Sequence, residues 1–335
     1  MKTILRNFIS VLRRFKMATI LNILGLSVAF AAFMVIMMQV DYDKNFDTFH
    51  KNADNIYRVE LQWDKSSTQV VLSRPLCNVF TDFSPHILAG AVTIPFYNET
   101  FYGIDRGGFI DTYMEPTIAV DPSFMDVFDF EMLEGSAETL NEPDRVLIPE
   151  SLSQKIFGQE SAIGKRITAK ESKGRLAGYF TTKEGGYTIG GVYKDLPRNS
   201  IIRNAVFTKL DEKQDLHDWG NSSYNFYIRL DNPESAKELV NDFLEYYRKD
   251  DLGKNMSWYS GEPNFRLTRI QDVHYTTDVL FDMTPKSSRQ TVLVLIAISL
   301  IILIIAGINF TNFSTALTPM RVKSINTQKV LGSSD

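Results

Sequence analysis

The sequence predicts an α+β protein in which two transmembrane helices flank a two-lobed outer domain. Three observations predict it: two long uncharged apolar runs, a reversal of charge sign across them, and two β-α-β patterns in the stretch between. The first run, "MATILNILGLSVAFAAFMVIMMQV" (17–40), holds 24 residues without a charge, about 36 Å as a helix against a hydrocarbon core of about 30 Å. The second uncharged run extends from Gln290 to Met320, and "VLVLIAISLIILIIAGI" (292–308) within it is almost wholly aliphatic, so insertion is favourable at nearly every position. The two spans are set at 17–40 and 291–313. A cleaved signal peptide competes for the first run, because basic residues precede it and Ala29-Phe30-Ala31 has the small residues of a cleavage site. Nine more uncharged residues follow Ala31, whereas the apolar region of a signal peptide is about 7 to 15 residues long. The length favours an uncleaved anchor.

Charge sets the orientation. Lys2, Arg6, Arg13, Arg14 and Lys16 place +5 before the first span, and Arg321, Lys323 and Lys329 against Asp335 place +2 after the second. Both ends therefore belong in the cytoplasm. With those ends and −4 for the whole chain, the residues between carry −11 and lie on the far side. An acidic outer domain excludes nucleic acid as a partner, since phosphate neutralisation needs clustered Lys and Arg. The basic ends meet anionic lipid headgroups. Residues 1–16, "MKTILRNFISVLRRFK", place Ile4, Phe8, Val11, Leu12 and Phe15 on one side of a helix among basic residues, the pattern of an amphipathic helix on the inner leaflet. The single Cys77 forms no internal disulfide, so the outer domain rests on its core.

The outer domain is 41–290. "NIYRVELQW" (55–63) reads as a strand, 72–83 as a helix and "ILAGAVTIPFY" (87–97) as a strand, which makes one β-α-β unit. A second follows. "YNFYIRL" (224–230) is a strand, and Asn232 as cap with Pro233 in the first turn opens a helix whose apolar spacing runs Ala236, Leu239, Val240, Phe243, Leu244, Tyr247. "FRLTRIQDVHY" (265–275) returns as a strand. Two such units around an insertion give a membrane-proximal lobe of 41–111 and 209–290, with helices on one face of a sheet, and a mainly β inserted lobe at 112–208. Its short strands are "EPTIAV", "DRVLI", "KRITA", "YTIGGVY" and "NAVFTKL". In "DPSFMDVF" Asp121 caps a helix with Pro122 at its first position, and Phe124, Val127 and Phe128 read as core.

Motifs for resident chemistry fail on geometry. "GQESAIGKR" (158–166) imitates a phosphate loop, but five residues separate Gly158 from Gly164, and Arg166 offers no hydroxyl to a metal after Lys165. A helix "ESLSQKIF" stopped by Gly158 and followed by a turn explains the stretch. Any ATP dependence then comes from elsewhere. "DYDKNFDTFHKN" (41–52) imitates a calcium loop through Asp41, Asp43 and Asn45, yet Phe46 stands where Gly is required and Asn52 where a bidentate Glu must close the site. His50, His86, His217 and His274 lack zinc spacing, and no nucleophile elbow is present. No cofactor, metal or catalytic residue is expected.

Several stretches together resemble one family. These are "LNILGLSVAF", "YDKNFDTFHKNADNIYRVE", "VDPSFMDVFDFEMLEGS", "VLIPESLSQKIFG", "AIGKRI", "YTIGGVYKDLPRNS" and "IAGINFTNFSTALTPMRVKSINTQKVLGSS", in order over nearly the whole chain. The chain resembles the MacB/FtsX-type permeases of ABC transporters, in their Bacteroidetes-like branch. The resemblance implies a MacB-like periplasmic core domain in the inner membrane and a cytoplasmic coupling segment at 314–335 that docks on a separate ABC ATPase. The matching residues are Arg321, Lys323, Lys329, Val330, Leu331 and Gly332. It also implies a homo- or heterodimer of permeases, a periplasmic or outer-membrane partner, and efflux or export as the function, with ATP hydrolysis on the partner and not on this chain. Two departures stand out. The family's Glu-Val-Gly-like element and Arg-Lys pair are replaced by Ser324, Ile325, Asn326 and Gln328-Lys329. Such permeases also resemble four-helix units, so two spans imply a fragment, a split gene product or a remnant. A two-span receptor with an outer ligand-binding domain is the alternative, and a membrane-tethered hydrolase lacks a constellation to support it.

Overall fold

The computed structural model describes residues 16–63, 67–173, 186–256 and 263–330. In chain order the main elements are helix α1 (Lys16–Lys44), strands β1 (Ile56–Gln62), β2 (Thr68–Gln69) and β3 (Val71–Ser73), helix α2 (Arg74–Asp82), and strands β4 (Ile87–Thr93), β5 (Asn98–Asp105) and β6 (Ile110–Val120). Then come α3 (Phe124–Val127), β7 (Met132–Gly135), β8 (Arg145–Pro149), α4 (Glu150–Phe157), β9 (Arg166–Lys173), β10 (Tyr187–Tyr193) and β11 (Val206–Lys209). The chain closes with β12 (Ser222–Leu230), α5 (Ala236–Lys249), β13 (Asn264–Arg269), α6 (Ile270–Val273), β14 (Val279–Leu280) and α7 (Arg289–Val330). They form two compact units, Asn45–Lys286 and the pair Met1–Lys44 with Ser287–Asp335.

In the helical unit, α1 and α7 pack side by side. Thr19–Lys44 and Arg289–Ala316, 26 and 28 residues, are long and apolar enough to cross a bilayer, at about 39 and 42 Å against a core of about 30 Å. Val40, Val292, Ser299 and Ala306 are buried, while Ile20, Leu24, Val28, Leu293, Ile301 and Ile305 face outward, as lipid-facing positions must. The small Ser299 and Ala306 let the helices approach closely, and the Ser299 hydroxyl satisfies itself on the Ile296 carbonyl at 2.7 Å. The expected spans, 17–40 and 291–313, lie inside α1 and α7. The residues expected to form a coupling segment, 314–335, continue helix α7 as far as Val330. The amphipathic helix expected at 1–16 lies outside the described residues except for Lys16, which opens α1.

The outer unit is built on one hydrogen-bonded sheet, ordered β11-β8-β10-β9-β5-β6-β4-β12-β1-β2-β14, with β13 on β1, β3 on β12 and β7 on β10. Its two ends fold into two lobes. In the first, α2 and α5 cover the sheet formed by β4, β12, β1 and β13. Phe80 packs between Phe243, tilted at a ring-centroid distance of 4.3 Å, and Phe226, edge-on at 5.9 Å, and Phe243 meets Phe265 at 5.1 Å. The apolar spacing of α5 buries Leu239, Phe243 and Tyr247, four residues apart and so on one helix face. Asn232 caps the preceding turn by accepting from the Glu234 N–H at 3.0 Å. In the second lobe α4 packs on β8, β9, β10 and β5, burying Ile104, Ile148, Ile156, Ile167 and Ile189. Gly158 ends α4 at φ +63°, where a side chain would be strained.

The lobes join at one ladder pair between β4 and β6, Thr93 with Val120. Beside that join, Phe124 and Phe128 of the α3 turn are buried, and Phe128 meets Tyr227 of β12 edge-on at 5.2 Å. Asp121, expected as the helix cap, accepts from the Ser123 N–H at 3.0 Å in the turn ahead of α3, and Ser123 itself stands at the N-cap position. Two strands end earlier than the sequence pattern predicts. Strand β4 stops at Thr93, ahead of Pro95, which cannot donate to a ladder. A hairpin of β5 and β6 follows, so β5 pairs with β6 and β9 ahead of the expected lobe boundary at 112. Strand β13 stops at Arg269, because Ile270 and Val273 are buried with a spacing of three, as one turn of helix requires.

Candidate functional site

The chain enters the outer domain through residues 45–52 and leaves it through 274–286, and both connectors are pinned by groups that a surface loop does not need. Asp47 is fully buried in the left-handed region at φ +53°, a conformation Asp tolerates better than bulky residues. Its N–H donates to the Asn199 carbonyl at 2.9 Å. Its carboxylate accepts from the Ser200 hydroxyl at 2.5 Å and the Ile201 N–H at 3.0 Å. Asn199 returns a bond to the Asn45 carbonyl at 2.6 Å, and Asn52 donates to Asp129 at 3.3 Å. The entry connector is thereby stapled to the second lobe's 199–201 loop. Burial pushes the Asp47 carboxyl up to about 7, against the opposing pull of the Ser200 and Ile201 bonds.

His50 completes this staple without hydrogen bonds of its own. Its ring is buried between Phe49 and Phe128, at centroid distances of 4.1 and 5.4 Å, and neither ring nitrogen has a hydrogen-bond partner. Nε2 lies 3.9 Å from Asp47 Oδ1, too far for a hydrogen bond. Burial lowers its pKa to about 4, with Asp129 opposing, so the imidazole is neutral.

The exit connector is tied down by charge. Buried Arg58 on β1 donates to Glu60 Oε1 at 2.6 and 2.9 Å and to Asp282 Oδ2 at 2.6 Å. Glu60 also accepts from Arg266 at 2.6 Å, Arg266 reaches Asp278 at 2.8 Å, and Lys286 reaches Asp282 at 2.6 Å. Three cations thus face three anions, and the charges cancel. Burial alone would raise the Asp282 carboxyl, but the Arg58 charge and bonds from Lys286 and Thr284 outweigh it and hold it below its ordinary range. The connectors also touch through one stack. Phe46 of the entry lies flat on His274, 3.8 Å away and within 6° of parallel. The His274 Nδ1–H donates to the Pro285 carbonyl of the exit at 2.9 Å, and Lys286 Nζ donates to the Val273 carbonyl at 2.7 Å. A cleft of about 230 Å³ is lined by Phe96, Tyr97, Ile201, Tyr227 and Met283 among others, and by Pro285 of the exit connector.

Of the residues that sequence comparison with a family singled out, Arg321, Lys323, Lys329 and Val330 lie on α7 beyond Ala316; Leu331 and Gly332 lie outside the described residues. "GQESAIGKR" is a turn. Gly164 N–H and Lys165 carbonyl bond to Ile189 of β10 at 2.8 and 2.9 Å, Lys165 pairs with Glu160 at 2.6 Å, and strand β9 begins at Arg166. In the calcium-like stretch, Asp41 and Asp43 are helical and belong to α1. The Asp47, His50 and Ser200 staple and the Arg58 network were missed by motif reading. One signal for the network was available: Arg58 and Glu60 are two apart in an otherwise apolar strand, which puts opposite charges on the same face.

The architecture is that of a membrane-anchored ectodomain with two α+β lobes. A model of the MacB-like periplasmic core domain matches residues 19–246, more than half of the chain, and the chain belongs to that family of MacB/FtsX-type ABC-transporter permeases. This is a family of membrane proteins with a periplasmic domain, and its permeases are generally not enzymes. Among solved structures, a domain assigned to a permease protein of Porphyromonas gingivalis is 25% identical with a TM-score of 0.51, covering 66% of this chain and 92% of that one. The extracellular domain of the noncanonic ABC-type transporter YknZ from Gram-positive bacteria is 11% identical with a TM-score of 0.42, covering 64% and 100%. The periplasmic region of MacB from Actinobacillus actinomycetemcomitans is 12% identical with a TM-score of 0.40, covering 65% and 90%. No curated protein matches.

Proposed function

We propose that this chain is the permease subunit of an ABC transporter and carries the ATP-driven motion of a separate ATPase to its periplasmic domain, for efflux or export. The observation that carries the reading is the length of α7. Its 42 residues make about 63 Å of helix, roughly twice the hydrocarbon core. About 21 Å of that, residues 317–330, continues past the apolar stretch. A push on the basic end, near Arg321, Lys323, Lys329 and Val330, therefore travels along a single element to Arg289. From there only two residues separate α7 from Lys286, which is clamped by Asp282 and the Val273 carbonyl. The Phe46–His274 stack then shares the displacement with the entry connector, and the Asp47 staple passes it to the second lobe. This is rigid-body transmission between two states.

A receptor reading needs a site that encloses a ligand. The cleft lined by Phe96, Tyr97 and Tyr227, at about 230 Å³, is below the roughly 300–1,000 Å³ of typical small-molecule sites and does not by itself supply one. The test is affinity purification of the full chain in mild detergent. An ATP-hydrolysing subunit is expected to co-purify and to be lost with Val330→Asp and Leu331→Asp; repeated recovery of the chain without one would overturn the proposal.

A further inference from the structure

We infer that the segment Val279–Met283, strand β14 and the turn that follows it, is a membrane-insertion tip, with the acyl and headgroup boundary of the outer leaflet as its occupant. The inference rests on the reading that Arg289–Ala316 crosses the bilayer. Leu280, Phe281 and Met283 are 52%, 59% and 56% exposed, a cluster of large apolar side chains with Asp282 alone among them turned inward. That orientation is imposed. Asp282 is held by Arg58 and Lys286 and accepts from Thr284 through both its N–H and its hydroxyl. On the other side, Asp278 is held by Arg266, and the Leu280 carbonyl accepts from the Val70 N–H at 3.3 Å. Phe281 sits at φ +62°, a strained conformation for an aromatic residue. The fold thus fixes both flanks of the segment and holds a strained Phe outward, which a segment facing water does not require.

Chain length selects the occupant. Phe281 is eight residues before the start of α7, so even a fully extended tether keeps it within about 29 Å of Arg289. The chain between is also pinned by His274 and Val273 at Pro285 and Lys286, which shortens that reach. Within that reach, the apolar phase available to the tip is the bilayer that α7 enters. Large apolar side chains on a rigid tip settle at the headgroup and acyl boundary.

The test uses the full chain in lipid nanodiscs. Cys77 is fully buried, so Phe281→Cys offers the one accessible thiol for an environment-sensitive dye. Met283→Cys serves as a second variant free of the backbone strain. Leu300→Cys within α7 and Phe109→Cys, exposed on the β5–β6 hairpin, are the references. Lipids carrying a spin label near the headgroup should quench the dye at 281 and 283 several-fold more than at 109, with blue-shifted emission. Lipids labelled at the tail end should quench best at 300. If 300 is quenched while 281 and 283 show water-like, unquenched emission, the insertion tip is refuted and the span stands. Blue-shifted emission at 281 without lipid quenching also refutes it and points to a protein partner. An unquenched dye at 300 refutes the span and the tip together.

Discussion

Asp282→Asn removes one charge from the network that ties the exit connector to β1 and keeps the shape of the side chain. The six groups Arg58, Glu60, Asp282, Arg266, Asp278 and Lys286 are neutral together, so the variant leaves an uncompensated positive charge against buried Arg58. Breaking a buried pair costs about 3–5 kcal/mol. Arg58 keeps Glu60 at 2.6 Å, which places the loss near the lower end, about 3 kcal/mol. For a domain of this size that lowers Tm by about 6–12 °C. Asp278→Asn is the internal control. Its carboxylate belongs to the same network but is 67% exposed, and exposed pairs contribute at most about 1 kcal/mol. The assay is thermal unfolding of the full chain in nanodiscs followed by tryptophan fluorescence, since Trp63, Trp219 and Trp258 all lie in the outer domain. The sign with pH is set by the depressed Asp282 pKa. Its stabilisation is present above the ordinary carboxylate value of 3.8 and is lost as pH falls through the lower folded value, so the two curves converge in acid. Equal losses for Asp278→Asn and Asp282→Asn, or a shift under about 2 °C for Asp282→Asn, would refute the reasoning.

Asp47 and His50 bend the pH profile in opposite directions. The Asp47 pKa is raised from 3.8 to about 7, so its contribution is complete below 3.8 and is lost as pH rises through 7; Asp47→Asn should flatten that alkaline decline in a denaturant series. The His50 pKa is lowered from 6.5 to about 4, so its contribution is complete above 6.5 and is lost as pH falls through 4. His50→Phe should flatten the acid side at a cost within about 1 kcal/mol, because no hydrogen bond is given up; an unchanged acid limb contradicts this. In α7, Pro319 has no N–H for the Thr315 carbonyl, which weakens the helix there by about 3 kcal/mol. A push can reach Arg289 only if the helix stays straight across this residue, so spin labels at Ile308→Cys and Lys329→Cys, about 32 Å apart along a straight helix, should give one narrow distance distribution; a broad one contradicts the transmission.

The spans and the second β-α-β unit were legible because their signals are local. Twenty-four uncharged residues from Met17, and the Asn232 cap with its Leu239, Phe243 and Tyr247 stripe, need no tertiary information. The β5–β6 hairpin was harder to see, since a pattern read continuously from Ile87 to Tyr97 passes over Pro95, and Gly107 and Gly108 mark its turn only once pairing is known. The reading of β13 ran too far because Ile270 and Val273 carry apolar character past the strand, and spacing over four residues does not separate a strand from one helical turn. The junction was least legible. Asp47 and Ser200 are 153 positions apart and Arg58 and Asp282 are 224 apart, so no local pattern joins them. The acidic stretch at 41–52 drew attention as a failed calcium loop, whereas its Asp47 is a buried hydrogen-bond acceptor and its Phe46 stacks on His274.

For α7 to carry force from the cytoplasm to a domain across the membrane, its basic end and that domain must lie on opposite sides, and thiol accessibility measures this directly. With Cys77 buried, Met114→Cys in the outer domain should react with a membrane-impermeant maleimide in intact spheroplasts, and Lys329→Cys should react only after the membrane is opened. Labelling of Lys329→Cys in intact spheroplasts, or no labelling of Met114→Cys, would place the two ends of the force path on the wrong sides and contradict the account.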